Sequence, residues 1–217
     1  VNISDTAGTL AEQVNRKQLS RAIIPNITLQ PKYNPSLKSI QLPEDLQFFN
    51  GSGGFSADGK EYIVGIDKQH ATPAPWVNVI ANPEFGTVVS ESGSAYSWTE
   101  NAHELRLTPW NNDPICDTGG EVFYLRDEET GLFWTTTLLP AGGELLYVTH
   151  HGFGYSIFKH LEDGIFSEML VFVDMEQAVK FNVIKILNQS GRPRKLSVTG
   201  YVEWVLGDNR TKTAMHV

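Results

Sequence analysis

Apolar and polar residues alternate with a period of two over much of this chain. Leu196, Val198, Val202, Trp204 and Leu206 are interleaved with Ser197, Thr199, Tyr201 and Glu203. That alternation predicts a half-buried strand over 196–206, with Gly200 at a bend or a close contact. Glu168 to Asp174 has an unbroken apolar centre, the pattern of a strand covered on both faces in the middle of a sandwich. Shorter strands are predicted over 46–50, 60–66, 76–81, 86–90, 95–99, 121–126, 132–137, 144–150, 154–161 and 178–188. Asp58-Gly59, Asn82-Pro83, Thr130-Gly131, Asp163-Gly164 and Ser190-Gly191 stand between them, each supplying the positive or fixed φ of a reversal. Many short strands with no helical pattern between them predict an all-β, antiparallel sandwich rather than βαβ units.

The first residues follow another pattern. Thr9 and Glu12 have capping-box spacing and Pro25 stops whatever they start, so a short N-terminal helix is predicted over 10–23. Its apolar stripe of Leu10, Val14 and Leu19 is thin and calls for a neighbouring surface to dock on. Pro25, Pro31, Pro35 and Pro43 then make 25–44 an extended connector. The expected division is a helix and connector over 1–44 and a sandwich domain over 45–217. An opening on Val1 and an end at Val217, soon after a strong strand, are read as cuts through a longer polypeptide, with the sandwich truncated at its C-terminus.

Charge and composition remove several classes of function. A formal net charge of −8 gives no electrostatic grip on nucleic acid or on an anionic membrane surface, so neither is an expected partner. The single Cys116 cannot close an internal disulfide, and the chain lacks clustered ligands for structural zinc, so no metal is expected. Neither a membrane-spanning apolar run nor a secretory signal is visible.

Most motif-like strings fail on spacing. Gly51-Ser52-Gly53-Gly54 lacks the spacing of a phosphate loop and precedes a strand-like segment, so it reads as a structural glycine turn. Ser156 and Lys159 match S-x-x-K but face opposite ways on a strand. Leu107 occupies the place of the second histidine after His103-Glu104. His150 and His151 are adjacent on a predicted strand and cannot ligate one metal together. Cys116 has no base beside it and reads as a partly buried thiol. Segment 91–118 is richer. It gathers Trp98, Arg106, Trp110, Asn112 and Asp113, the mix of aromatic faces and planar polar groups that sugars need. The same stretch also reads as a long polar loop pinned by Trp110 and its prolines.

Four strings carry a family resemblance: Phe48 to Ser56 (FFNGSGGFS), Thr72 to Pro83 (TPAPWVNVIANP), Leu107 to Pro114 (LTPWNNDP) and His151 to Ser156 (HGFGYS). With the closing Leu196 to Gly207 they resemble the N-terminal sandwich of glycoside hydrolase family 94, formerly glycosyltransferase family 36, closest to its cyclic β-1,2-glucan synthase branch. The resemblance implies a galactose-mutarotase-like super-sandwich followed, in the parent enzyme, by a helical linker and an (α/α)6 barrel that holds the acid and the phosphate site. No catalytic residue of the family has a counterpart in this chain. Inorganic phosphate would serve as co-substrate of the parent enzyme, with no cofactor. The implied partners are β-glucan oligosaccharides, the missing barrel of the same polypeptide and a second copy in a homodimer, with segment 98–113 reaching toward the partner's active site. Asn101 to Arg106 reads N-A-H-E-L-R where relatives read closer to N-S-R-E-N-R, so His103 and Leu105 alter what the loop can bind.

The implied role is therefore that of a non-catalytic, carbohydrate-associated domain shaping the saccharide cleft and dimer interface. Arg106, Trp110, Asn112 and Asp113 are its expected substrate contacts. The expected location is cytoplasmic, on a parent chain that can be attached to the inner membrane. Two alternatives remain open: a self-sufficient aldose epimerase pairing His103, His150 or His151 with Glu91 or Glu104, and a purely structural dimerisation module.

Overall fold

The computed structural model describes residue 9, residues 39–111, 113, 115–215 and 217. The N-terminal helix over 10–23 and most of the connector lie outside the described residues. Twelve strands follow: β1 (Gly53–Phe55), β2 (Glu61–Ile66), β3 (Val77–Ala81), β4 (Phe85–Ser90), β5 (Ala95–Thr99), β6 (Glu121–Asp127), β7 (Phe133–Thr135), β8 (Tyr147–Gly152), β9 (Tyr155–Glu162), β10 (Ile165–Val173), β11 (Lys180–Asn188) and β12 (Leu196–Val202). A single helical turn, α1 (Arg210–Thr213), is capped by the Asn209 side chain, which accepts from the Thr211 amide.

All pairings are antiparallel and make three sheets. One has six strands in the order β1-β2-β8-β9-β10-β11, and two have three strands, β12-β6-β7 and β3-β4-β5. The reversals stand where the turn residues place them. Asp163 (φ 46°) and Gly164 (φ 75°) are both left-handed, the two-residue turn whose twist suits the β9–β10 hairpin.

Both small sheets lie on the same face of the large one, because alternate residues of β10 meet them in turn. Met169, Val171 and Val173 pack with Ile80, Phe85, Val89 and Ala95 of the β3-β4-β5 sheet. Ile165, on the same side of β10, packs with Leu125 and the fully buried Trp134 of the β12-β6-β7 sheet. Sequestering these side chains from water is the main driving force for the layers.

Three expectations need correction. Residues 46–50 form a turn with an isolated bridge from Gln47 to Phe55, and the edge strand is Gly53–Phe55 instead. Strand β10 is buried on one face and half-buried on the other rather than sealed on both, since Leu170 and Phe172 face outward. Of the apolar residues predicted to half-bury the final strand, only Leu196 packs on the core, while Val198, Val202, Trp204 and Leu206 are 41–50 % accessible. Periodicity reports that a face is apolar, and it is silent on what covers that face.

Adjacent strand positions separate His150 from His151 as expected. His150 Nδ1 donates to the Glu61 carboxylate (2.8 Å), while His151 bonds Ser156 Oγ (2.9 Å) and donates from Nε2 to the Trp76 carbonyl (3.1 Å) on the other side. Burial holds the pKa of His151 down to about 4 from an ordinary 6.5. The unfolded chain therefore takes up this proton first. Stability that is fully present above pH 6.5 is lost as the pH falls toward 4, by about 3 kcal/mol from this group. Urea unfolding at pH 7 and pH 4.5 should show a smaller acid loss for His151→Gln than for the parent; equal losses would refute the assignment.

Candidate carbohydrate-contact site

The site is built on β5. Ala95 and Ser97 point into the sandwich, which sends Tyr96 and Trp98 to the outer side. Trp98 lies over Gly86 of β4, where a Cβ would come within 2.2 Å of the indole ring, so only glycine admits the ring there. After β5 the chain turns back on itself. The amide of Leu107 donates to the Ser97 carbonyl (2.8 Å), Ser97 N donates to Thr108 Oγ1 (2.8 Å), and Arg106 bridges to Trp98.

This return places Trp110 beside Tyr96, with ring centroids 6.1 Å apart, and Tyr96 in turn lies 5.1 Å from Trp98. The three rings make a shelf, and Trp110 is 48 % exposed at its end. The guanidinium carbon of Arg106 sits 5.4 Å from the Trp110 ring centroid, a cation–π distance. Its other contacts are to backbone: Nη1 donates to the Asp208 carbonyl (3.2 Å) and Nε to the Ala102 carbonyl (3.3 Å). Arg106 thus fixes the ring and closes the loop.

Trp110 lines a hollow of about 260 Å3 with Tyr96, Asn111, Asp113 and Asp117, facing Pro75 and Val77. Asp113 Oδ1 accepts the amides of Ile115 (3.0 Å) and Cys116 (3.1 Å), which braces the loop and holds the carboxyl below its ordinary pKa. Asn111 Nδ2 donates to Thr118 Oγ1 (3.0 Å). Of the four residues expected from the sequence, Arg106, Trp110 and Asp113 come together here, and Asn112 lies outside the described residues.

Of the polar floor, sequence reasoning singled out Glu91 and missed Asp117. Asp117, with φ 43°, turns its carboxylate into the hollow, and its Oδ2 accepts from Ser90 Oγ (2.6 Å) and from the Ser92 hydroxyl. Beside it, Glu91 is 3 % exposed and accepts from the Thr72 hydroxyl and the Trp76 amide (2.7 Å). Burial raises its pKa, against the pull of those two donors, and the charge of Asp117 adds to the rise. Nothing local marks Asp117, whereas Ser90, Glu91 and Ser92 in one run at a strand end were a legible polar cluster.

The histidines are placed elsewhere. His103 is exposed and bonded to Glu104 (2.7 Å), and His150 pairs with Glu61 rather than with Glu91. Cys116 is exposed, not partly buried, because the turn braced by Asp113 carries it outward. Its thiol pKa is raised by the Asp113 carboxylate. Among the described residues no cluster of three or more His, Cys, Asp or Glu is arranged to hold a metal, and no helix is long and apolar enough to cross a membrane.

Residues 60–217 match the family model described as glycosyl hydrolase 94, supersandwich domain. The chain is 43 % identical, over 174 residues, to the cyclic beta-(1,2)-glucan synthase NdvB of Rhizobium meliloti (strain 1021), covering 80 % of this chain and 6 % of that protein. It is 33 % identical over 155 residues to the N,N'-diacetylchitobiose phosphorylase of Vibrio furnissii, covering 70 % of this chain and 19 % of the relative. To the solabiose phosphorylase of Paenibacillus borealis it is 29 % identical over 163 residues, 72 % of this chain and 20 % of the relative. The chain thus spans at most about a fifth of the length of these relatives. Strand order, antiparallel layering and this agreement converge: the chain belongs to glycoside hydrolase family 94, as a supersandwich domain.

Proposed function

We propose that this domain is a non-catalytic carbohydrate-contacting part of a β-glucan phosphorylase or cyclic β-1,2-glucan synthase-like enzyme. The observation that carries this reading is the shelf of Tyr96, Trp98 and Trp110, with Arg106 at its edge and two carboxylates below. A pyranose ring offers an apolar face to such a shelf while its rim of hydroxyls meets carboxylate and amide groups. The names of the relatives, a β-1,2-glucan synthase and several disaccharide phosphorylases, support saccharides as the ligand class.

In the whole enzyme, a carboxyl of the barrel would protonate the glycosidic oxygen while inorganic phosphate attacks the anomeric carbon with inversion. The sandwich would shape the cleft, contact the barrel and contribute to a homodimer. Its own share of the chemistry is to hold sugar rings against the shelf.

Tryptophan fluorescence during titration with β-1,2- and β-1,4-gluco-oligosaccharides tests this reading. Trp110→Ala should weaken binding about ten-fold, since it removes a stacking face worth on the order of 1 kcal/mol and part of its buried area. Arg106→Ala should weaken it less. No saturable response in the parent chain, or identical affinity in Trp110→Ala, would remove the shelf from saccharide contact.

A further inference from the structure

A second hollow of about 420 Å3 opens beside the shelf. Its lining is mostly apolar, with Ala71, Ala74, Leu139 and Ala141 among it, and Thr72, Glu91 and Ser92 add polar groups. The two hollows have Ala74, Pro75 and Asp117 as a common wall. Asp117 thus lines both hollows. Its Oδ2 is occupied by Ser90 and Ser92, which set the plane of the group, and no hydrogen bond to Oδ1 is made by the described residues.

We propose that Asp117 joins the two hollows into one extended cleft for a gluco-oligosaccharide: one ring stacks on Trp110, Asp117 Oδ1 accepts a hydroxyl of the next residue, and the chain continues into the hollow lined by Glu91. This rests on the carbohydrate reading above and specifies its length and polar anchor. Three features favour a neutral sugar chain over a charged ligand. Lys68, the only lysine among the described residues lining either hollow, is paired with Glu144, and the lining carboxyl groups Glu91, Asp113 and Asp117 disfavour an anionic ligand. A mostly apolar lining accepts the faces of pyranose rings without demanding charge. The buried Glu91 carboxyl, with its raised pKa, can accept or share a proton with a hydroxyl without stranding a full charge. The combined cleft falls within the range of about 300–1,000 Å3 usual for small-molecule sites.

Affinity measured by calorimetry for β-1,2-linked gluco-oligosaccharides, from disaccharide to pentasaccharide, is the test. Parent protein should bind progressively tighter as the second hollow fills. Asp117→Ala, which removes the acceptor, should lower affinity for the trisaccharide and longer chains by about ten- to hundred-fold, the usual effect of losing a hydrogen bond to a charged group. Ala71→Trp, made at an exposed rim position so that folding is not at stake, should block the second hollow and abolish the gain with length. If the gain persists in both variants while Trp110→Ala still loses binding, the extended cleft is overturned and the shelf stands. If the parent binds no member of the series, both readings fall together.

Discussion

Arg194→Met should destabilise the chain by about 3–5 kcal/mol at pH 7, because it leaves a buried carboxylate without its counter-charge. Asp127 is fully buried at the end of β6, and the guanidinium of Arg194 reaches it through Nε (2.8 Å) and Nη2 (2.5 Å). The same guanidinium donates to the Asp163 carbonyl (2.7 Å) and carboxylate (2.6 Å), pinning the β9–β10 turn to the β12-β6-β7 sheet. Burial pushes the pKa of Asp127 up, yet the amides of Glu129 and Thr130 together with Arg194 hold it below the ordinary value. Its contribution is present above the unfolded carboxylate pKa and is lost as the pH falls through the depressed native value. The deficit of Arg194→Met, read from urea unfolding midpoints, should therefore shrink at pH 3, where the stranded carboxyl can protonate. Arg192, whose Nη2 is 3.8 Å from Asp127 on a side chain 47 % exposed, supplies the contrast: Arg192→Ala should cost less than about 1 kcal/mol. Equal losses for the two arginines would show that burial does not decide the outcome.

Lys180→Met should cost a comparable 3–5 kcal/mol, and here binding should fall with stability. Lys180 Nζ donates to Glu121 Oε2 (2.6 Å) and Thr87 Oγ1 (3.0 Å), on a side chain only 9 % exposed. Glu121 Oε1 in turn accepts from Ser97 (2.7 Å) and Thr108 (2.8 Å). One ion pair thus ties β11 to β4, β5 and β6. Burial disfavours the Glu121 carboxylate, but the charge of Lys180 together with the hydrogen bonds from Lys180, Ser97 and Thr108 outweighs it, so the net pKa lies below the ordinary value. Ser97 sits between Tyr96 and Trp98, so loosening this junction should tilt the shelf as well. Adding Glu121→Gln to Lys180→Met should recover part of the stability by removing the orphaned charge. A double-mutant cycle with no coupling between the two positions would contradict the network.

The strands and the candidate site were legible to different depths. Eleven of the twelve strands were marked by alternation or, for β10, by an unbroken apolar run, because the pleat imposes a period of two on a sheet with one dry face and buried strands are apolar throughout. The exception, β1, is a glycine-rich edge with no alternation to read. Arg106, Trp110 and Asp113 stood out because aromatic and planar polar residues crowd one stretch of chain. Glu91 stood out only as an alternative acid and Asp117 not at all, because what places them here is being brought to one wall by a left-handed residue and a strand end.

Alternation and turn chemistry in the amino-acid order were enough to determine that this chain is a layered antiparallel protein, the four motif strings carried its resemblance to family 94, and one stretch visibly gathered aromatic and planar polar residues. Only the tertiary structure decided that Trp110 joins the rings of β5, that two carboxylates line adjoining hollows, and that Val198 and Val202 of β12 are exposed. The reason is physical. Period and turn propensity act between neighbours in sequence, whereas burial, carboxylate pairing and cavity shape depend on groups brought together from distant parts of the chain, as Thr72 and Glu91 are, nineteen residues apart.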